Sequence, residues 1–173
     1  MVLSIIAKVP GVVQLLFFGV CFSEVSAILY AVFKTGCGCL RKVQYWGEMW
    51  CLFAGGGSAY IFLELLWRGH SHWSMFLTGG LCVVLVCEMD RRLRRETHFL
   101  ARCIYAAAII TAVEFTAGCI VNLWLQWDVW DYSSIPLNLM GQICLPFSGA
   151  WLFLSIPVME IGTAIRRIWG ENG

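Results

Sequence analysis

Residues 111–151 read TAVEFTAGCIVNLWLQWDVWDYSSIPLNLMGQICLPFSGAW, and the fold follows from how this stretch divides. Its first part is apolar except for one carboxylic acid, Glu114, and one amide, Asn122. A turn of aromatic and acidic residues follows, Trp127-Asp128-Val129-Trp130-Asp131-Tyr132. The last part is apolar again and opens with Pro136, Asn138, Gly141 and Gln142. Apolar runs of this length on both sides of so short a turn do not fit a soluble core. They fit two membrane-spanning helices joined at the lipid–water boundary, where Trp and Tyr rings sit best.

The whole composition agrees. Of 173 residues, 60% are hydrophobic and 13% charged, whereas a soluble domain carries about 25% charge and about 45–50% apolar residues. Mean hydropathy is +0.75. The polar segments are all short, which leaves no room for a separate soluble domain. Nine cysteines would suggest a disulfide scaffold in a small secreted protein. Here Cys21, Cys51, Cys82, Cys87, Cys119 and Cys144 lie inside apolar runs and read as small buried hydrophobes.

The expected architecture is all-α, a single integral membrane domain of five spans at residues 11–33, 45–67, 73–89, 99–127 and 139–161. No small-residue cleavage pattern follows the first run, so a removed signal peptide is not expected. Glu24 lies near the middle of that run. A carboxylate there costs about 2.5–3.5 kcal/mol and needs a partner or an inward-facing position. The second span has Gly55-Gly56-Gly57-Ser58-Ala59 at its centre. Such residues let helix backbones approach closely in lipid. A phosphate loop is excluded, because no Lys-Ser/Thr follows. The third span is short and carries Gly79-Gly80, so it is either a barely sufficient span or a partly re-entrant one. Pro146 and Pro157 are expected to kink or end the fifth.

Five spans place the termini on opposite sides. Lys8 and Arg68 then fall on one side. Lys34, Arg41, Lys42, Arg91, Arg92, Arg94, Arg95, Arg102, Arg166 and Arg167 fall on the other. This asymmetry predicts an outer N-terminus and a cytoplasmic C-terminus. The block from Arg91 to Arg95 reads as cytoplasmic retention with some attraction to anionic lipid, and no nucleic-acid partner is expected.

Three groups of residues are candidates for function. Thr111, Glu114, Gly118 and Asn122 recur at three or four residues and share one helix face. That face is either hydrogen-bonding glue between helices or part of a substrate or proton path. The second group is the outer loop with Trp130, Asp131, Tyr132, Ser133, Pro136, Asn138 and Gln142. The third is a second outer loop with Glu64, Arg68, His70 and His72, in which Glu64 and Arg68 stand four apart and can pair. The topology puts both loops on the outer side, where they are expected to converge. His70-x-His72 and Cys37-x-Cys39 each supply only half of the about four ligands a structural metal site needs. Whether the histidines bind metal stays open, and no cofactor is expected.

Two strings carry a family resemblance: Glu64-Leu65 … Arg68-Gly69-His70-Ser71-His72-Trp73-Ser74-Met75 … Gly79-Gly80-Leu81, and Glu114-Phe115 … Gly118 … Asn122 … Trp130-Asp131-Tyr132-Ser133 … Pro136 … Asn138 … Gly141-Gln142 … Trp151. They span residues 64–151, about half the chain, and resemble the ABC-transporter type IV (CmpB-like) family of small bacterial integral membrane proteins. The resemblance implies a multi-pass protein of the bacterial cytoplasmic membrane, a permease-like or transport-associated subunit. It implies no substrate. The chain has no G-x-x-x-x-G-K-[ST] loop, so a separate ATPase subunit would bring ATP. Five spans are few for a translocation path, so a homo- or hetero-oligomer surrounded by membrane lipid is expected. The alternatives are a membrane enzyme or ligand sensor with an outward-facing site, and a scaffold whose polar residues only join helices. Against an enzyme, no nucleophile–base pair stands out.

Overall fold

The structure is a computed structural model and describes residues 39–168, with side chains from Gln44 onward. The expected first span, its Glu24 and Cys21, and the Cys37-x-Cys39 thiols lie outside what is described. Among the described residues, four helices are long and apolar enough to cross a membrane. They are α1 (Cys39–Arg68), α2 (Trp73–Leu93), α3 (Phe99–Gly118) and α4 (Leu145–Ile168). A π-helical turn, Cys119–Trp124, extends α3. Before α4, β1 (Asn138–Leu139) pairs antiparallel with β2 (Ile143–Cys144), placing Asn138 opposite Cys144.

Helix α2 lies at the centre, with α1 on one side and α3 and α4 on the other. It is one unbroken helix of 21 residues, about 30 Å long at 1.5 Å per residue. That length is sufficient for a full span. His72 caps its start, accepting a hydrogen bond from the Ser74 backbone N–H. The α1–α2 contact is built on glycine, as the sequence leads one to expect. A Cβ on Gly56 would stand 2.6 Å from Val83 Cβ, and one on Gly80 would stand 2.7 Å from the Phe53 carbonyl oxygen. Small residues thus replace side-chain packing with near contact of the two backbones.

The main core joins α2, α3 and α4 through Leu85, Val86, Ala106, Ile110, Val113 and Met159. Cys82, Cys87, Cys103, Cys119 and Cys144 are buried and form no disulfide, but Cys51 is exposed on α1. Of its most apolar window, α2 buries 61%, whereas α1 buries 22% and α4 17%. The outward faces of α1 and α4 carry Trp50, Phe62, Leu66, Trp67 and Phe153, side chains suited to lipid.

Several ends differ from the expected boundaries: α1 starts at Cys39 rather than at residue 45, α2 ends at Leu93 rather than at residue 89, and α4 ends at Ile168 rather than at residue 161. The helical path after α3 stops at Trp124 rather than at residue 127, and α4 begins at Leu145 rather than at residue 139. The cause of the late start of α4 is local. Gly141 has φ +69°, a left-handed conformation that turns the chain between β1 and β2. Pro146 sits in the first turn of α4, where a missing N–H removes no helical bond, while Pro157 stays inside the helix.

The end of the bundle where α2 and α4 finish and α3 starts holds an ion-pair network. Asp90 is fully buried and binds Arg102 and Arg166, with Arg94 further off. Glu88 is buried too and pairs with Arg91 at 2.5 Å and Arg92 at 2.7 Å. Arg91, Arg92 and Arg94 of the basic block therefore have structural partners.

Candidate functional site

Glu114 sits in α3 at 5% exposure. Its Oε1 accepts a hydrogen bond from the Tyr60 hydroxyl of α1 at 2.7 Å. Its Oε2 accepts one from the Trp151 indole N–H of α4, also at 2.7 Å. The two rings lie 6.1 Å apart, tilted by 30°. One carboxyl group thus ties three helices together deep in an apolar bundle, where two neutral donors offset part of its desolvation. Tyr60 and Trp151 were not singled out from the sequence. The available signal was that each carries a polar tip inside an apolar run, away from the boundary where such rings gather.

Gly118 and Asn122 share that face of the helix but serve something else. The π-helical turn brings Asn122 against the loop that follows, where it is 7% exposed. Its Nδ2 donates to the Trp130 carbonyl at 2.9 Å and to Gln142 Oε1 at 2.8 Å. Its Oδ1 accepts from the Val129 N–H at 2.8 Å. The Trp130 indole N–H donates to the Gln142 carbonyl at 2.9 Å, and Gln142 Nε2 donates to the Met140 carbonyl at 3.0 Å. Gly118 is the seat for both side chains: a Cβ there would meet Gln142 Oε1 at 2.6 Å and Trp130 Cζ2 at 3.0 Å.

The rest of the loop is folded by its own side chains. Asp131 Oδ1 accepts from the Ser133 N–H at 2.8 Å and the Ser133 hydroxyl at 2.5 Å. Asn138 Nδ2 donates to the Ile135 carbonyl at 2.7 Å, and its Oδ1 accepts from the Gly141 N–H at 3.1 Å. Pro136 is exposed in the intervening turn. The Tyr132 N–H donates to the Gly141 carbonyl at 2.8 Å, and the Tyr132 ring stacks on Phe147 at 5.0 Å. These bonds make residues 125–144 a compact cap over the end of α3.

Burial pushes the Tyr132 phenol well above its ordinary range, and the neighbouring Glu114 carboxylate adds to the shift. The folded state therefore holds the phenolic proton more tightly than the unfolded chain does. Its contribution to stability is complete below about pH 10 and declines as pH rises further. Ultraviolet difference titration against Tyr132→Phe is expected to show one phenol that stays neutral beyond pH 10 until the cap opens.

The second loop meets this cap. Arg68 pairs with Glu64, as their spacing predicts, and its Nη1 also donates to the Val129 carbonyl at 2.9 Å. The Ser71 hydroxyl donates to Glu64 Oε2 at 2.5 Å. The His72 ring lies 5.3 Å from that of Trp127 and 5.4 Å from that of Trp73. His70 is exposed, with Nδ1 2.9 Å from the Arg68 carbonyl oxygen. The two loops therefore adjoin through Arg68 and His72, while among the described residues no hydrogen bond joins Asp131 to either histidine. No group of three or more His, Cys, Asp or Glu side chains placed to hold a metal occurs among the described residues.

No solved structure matches this chain. The family described as "Putative ABC-transporter type IV" matches residues 69–169, which include α2, α3, the whole cap and all of α4. That match covers more than half of the chain, and the protein belongs to this ABC-transporter type IV family.

Proposed function

We propose that the protein is a permease-like, transport-associated subunit of the bacterial cytoplasmic membrane, working with a separate ATP-hydrolysing subunit. Family membership supports the transporter assignment. The observation that carries the reading further is Glu114, an acid inside the bundle held by side chains from two other helices. An ionisable residue at such depth generally marks a substrate or ion path. In this role Glu114 meets the substrate or a coupling cation, and Tyr60 and Trp151 release it as their helices separate. Asn122, Gln142 and Trp130 close the outer side, with Asp131, Tyr132, Ser133, Pro136 and Asn138 shaping the mouth. Glu64, Arg68, His70 and His72 flank it.

The same reading has five spans, the four described here preceded by residues 11–33, with the N-terminus outside and the C-terminus cytoplasmic. The ten-to-two partition of Lys and Arg supports it. So does the gathering of Arg91, Arg92, Arg94, Arg102 and Arg166 at one end of the bundle.

A second reading is a membrane scaffold. It is favoured by one observation: both Glu114 oxygens and the Asn122 amide are already fully engaged within the chain. Purification from native membranes in mild detergent separates the two. The transport reading expects an ATP-binding subunit to co-purify in fixed stoichiometry. Recovery of this chain alone, as a monomer or homo-oligomer, contradicts it.

A further inference from the structure

We propose that the inner end of the bundle is a binding site for a phosphate-bearing anion, centred on Arg102 and Arg166 and distinct from the Glu114 region. The charges there do not balance. Asp90 Oδ1 binds Arg102, and its Oδ2 accepts from Arg166 Nη2 at 3.2 Å. Both arginines are 7% exposed and Asp90 is 0% exposed, so two buried cations share one buried carboxylate. The neighbouring acids are Glu48, buried in α1, Glu88 and Glu160. Glu160 pairs with Arg94, and Glu88 pairs with Arg91 and Arg92. Five arginines, Arg91, Arg92, Arg94, Arg102 and Arg166, thus gather with four acids, Glu48, Glu88, Asp90 and Glu160, and an uncompensated charge in a site of low dielectric costs several kcal/mol.

A second, independent observation points to the same place. Arg102 Nε is buried and has no hydrogen-bond partner. Buried donors of this kind are rare in a folded chain, and each calls for an explanation. An oxyanion beside Arg102 would supply the missing charge and the missing acceptor together. Phosphate suits it, because a guanidinium presents parallel N–H groups matched to two phosphate oxygens.

The surroundings fit a headgroup at the edge of a bilayer. Arg95 and Arg167 are exposed beside the network. Phe99 and Leu100 at the start of α3, and Ile168 at the end of α4, are exposed apolar side chains at the same level of the bundle. Basic groups above apolar surface at the ends of spanning helices match an anionic phospholipid, phosphate outward and chains along the helices. Free inorganic phosphate shares the recognition chemistry.

The test uses the full chain purified in neutral detergent, with thermal unfolding followed as ligand is added. Short-chain phosphatidylglycerol is expected to raise the unfolding temperature saturably, and phosphatidylcholine is not. Arg102→Lys keeps the charge but removes the Nε donor. It is expected to raise the half-saturating phosphatidylglycerol concentration about tenfold, the scale of one hydrogen bond to a charged group. A surface variant, Arg95→Gln with Arg167→Gln, leaves the buried network intact and is expected to weaken binding several-fold. Inorganic phosphate at millimolar concentration is the parallel arm. A rise that depends on Arg102 with phosphate alone assigns the site to the free anion, and a rise confined to phosphatidylglycerol assigns it to lipid. No rise with either, or a rise unchanged in Arg102→Lys and in the surface variant, overturns the proposal.

Discussion

Asn122→Leu is expected to open the cap over the end of α3 and destabilise the protein by about 3–5 kcal/mol, from three lost hydrogen bonds at about 1–3 kcal/mol each and incomplete additivity. Leucine has a similar size but no polar atoms. Its substitution leaves the Val129 N–H, the Trp130 carbonyl and Gln142 Oε1 without the partner they now share. Trp130 and Gln142 are 6% and 4% exposed, so water cannot simply take over while the cap stays closed. The chain escapes the penalty by releasing residues 125–144 into solvent. Limited proteolysis of the protein in detergent should then cut within those residues far faster than in wild type, at temperatures where the helices remain folded. Cleavage as slow as wild type, with unchanged thermal stability, would show that the cap does not hang on this amide.

Asp90→Ala is expected to act at the opposite end and at least as strongly. It removes the carboxylate between Arg102 and Arg166 and leaves two buried guanidinium groups facing each other. Breaking a buried pair by removing one partner costs about 3–5 kcal/mol. This case adds repulsion between the two remaining cations. Little folded protein should be recovered in detergent. Glu160→Gln makes a suitable contrast. Glu160 pairs with Arg94 but is 58% exposed, so its loss should cost less than about 1 kcal/mol. Equal yields and equal unfolding temperatures for the two variants would mean that the Asp90 network is not needed for stability.

Much of the architecture was legible in the sequence because lipid imposes simple demands. Long apolar runs had to be helices, and the glycine cluster at residues 55–57 had to meet another helix closely. Gly56 and Gly57 do meet α2, while Gly55 faces outward with open space around it. The Glu64–Arg68 pair followed from spacing alone. The two loops were expected to converge, and they adjoin through Arg68 and His72. What stayed hidden was the choice of neighbours. Helices apolar on every side have no periodic stripe to show which face is inward. For that reason Tyr60 and Trp151 could not be matched to Glu114, although all three stood in plain view. The Asp90 network was hidden for a related reason. Arg102 and Arg166 come from helices far apart in sequence, and counting charges by side says nothing about which of them share a carboxylate. The π-helical turn had no clear signal either. It exists because Asn122 is aimed at Trp130 and Gln142, partners that arrive from later in the chain.

The most direct test of whether Glu114 serves transport, or merely joins helices, is ATP turnover by the purified complex carrying Glu114→Gln. The amide preserves size and keeps one acceptor oxygen for Tyr60 or Trp151, so the loss in stability should stay within about 1–3 kcal/mol. The variant should assemble with the proposed ATP-hydrolysing partner as wild type does, yet turn over ATP at a small fraction of the wild-type rate. Wild-type turnover in Glu114→Gln would contradict a transport role for this residue, and so would failure of the variant to fold or assemble at all.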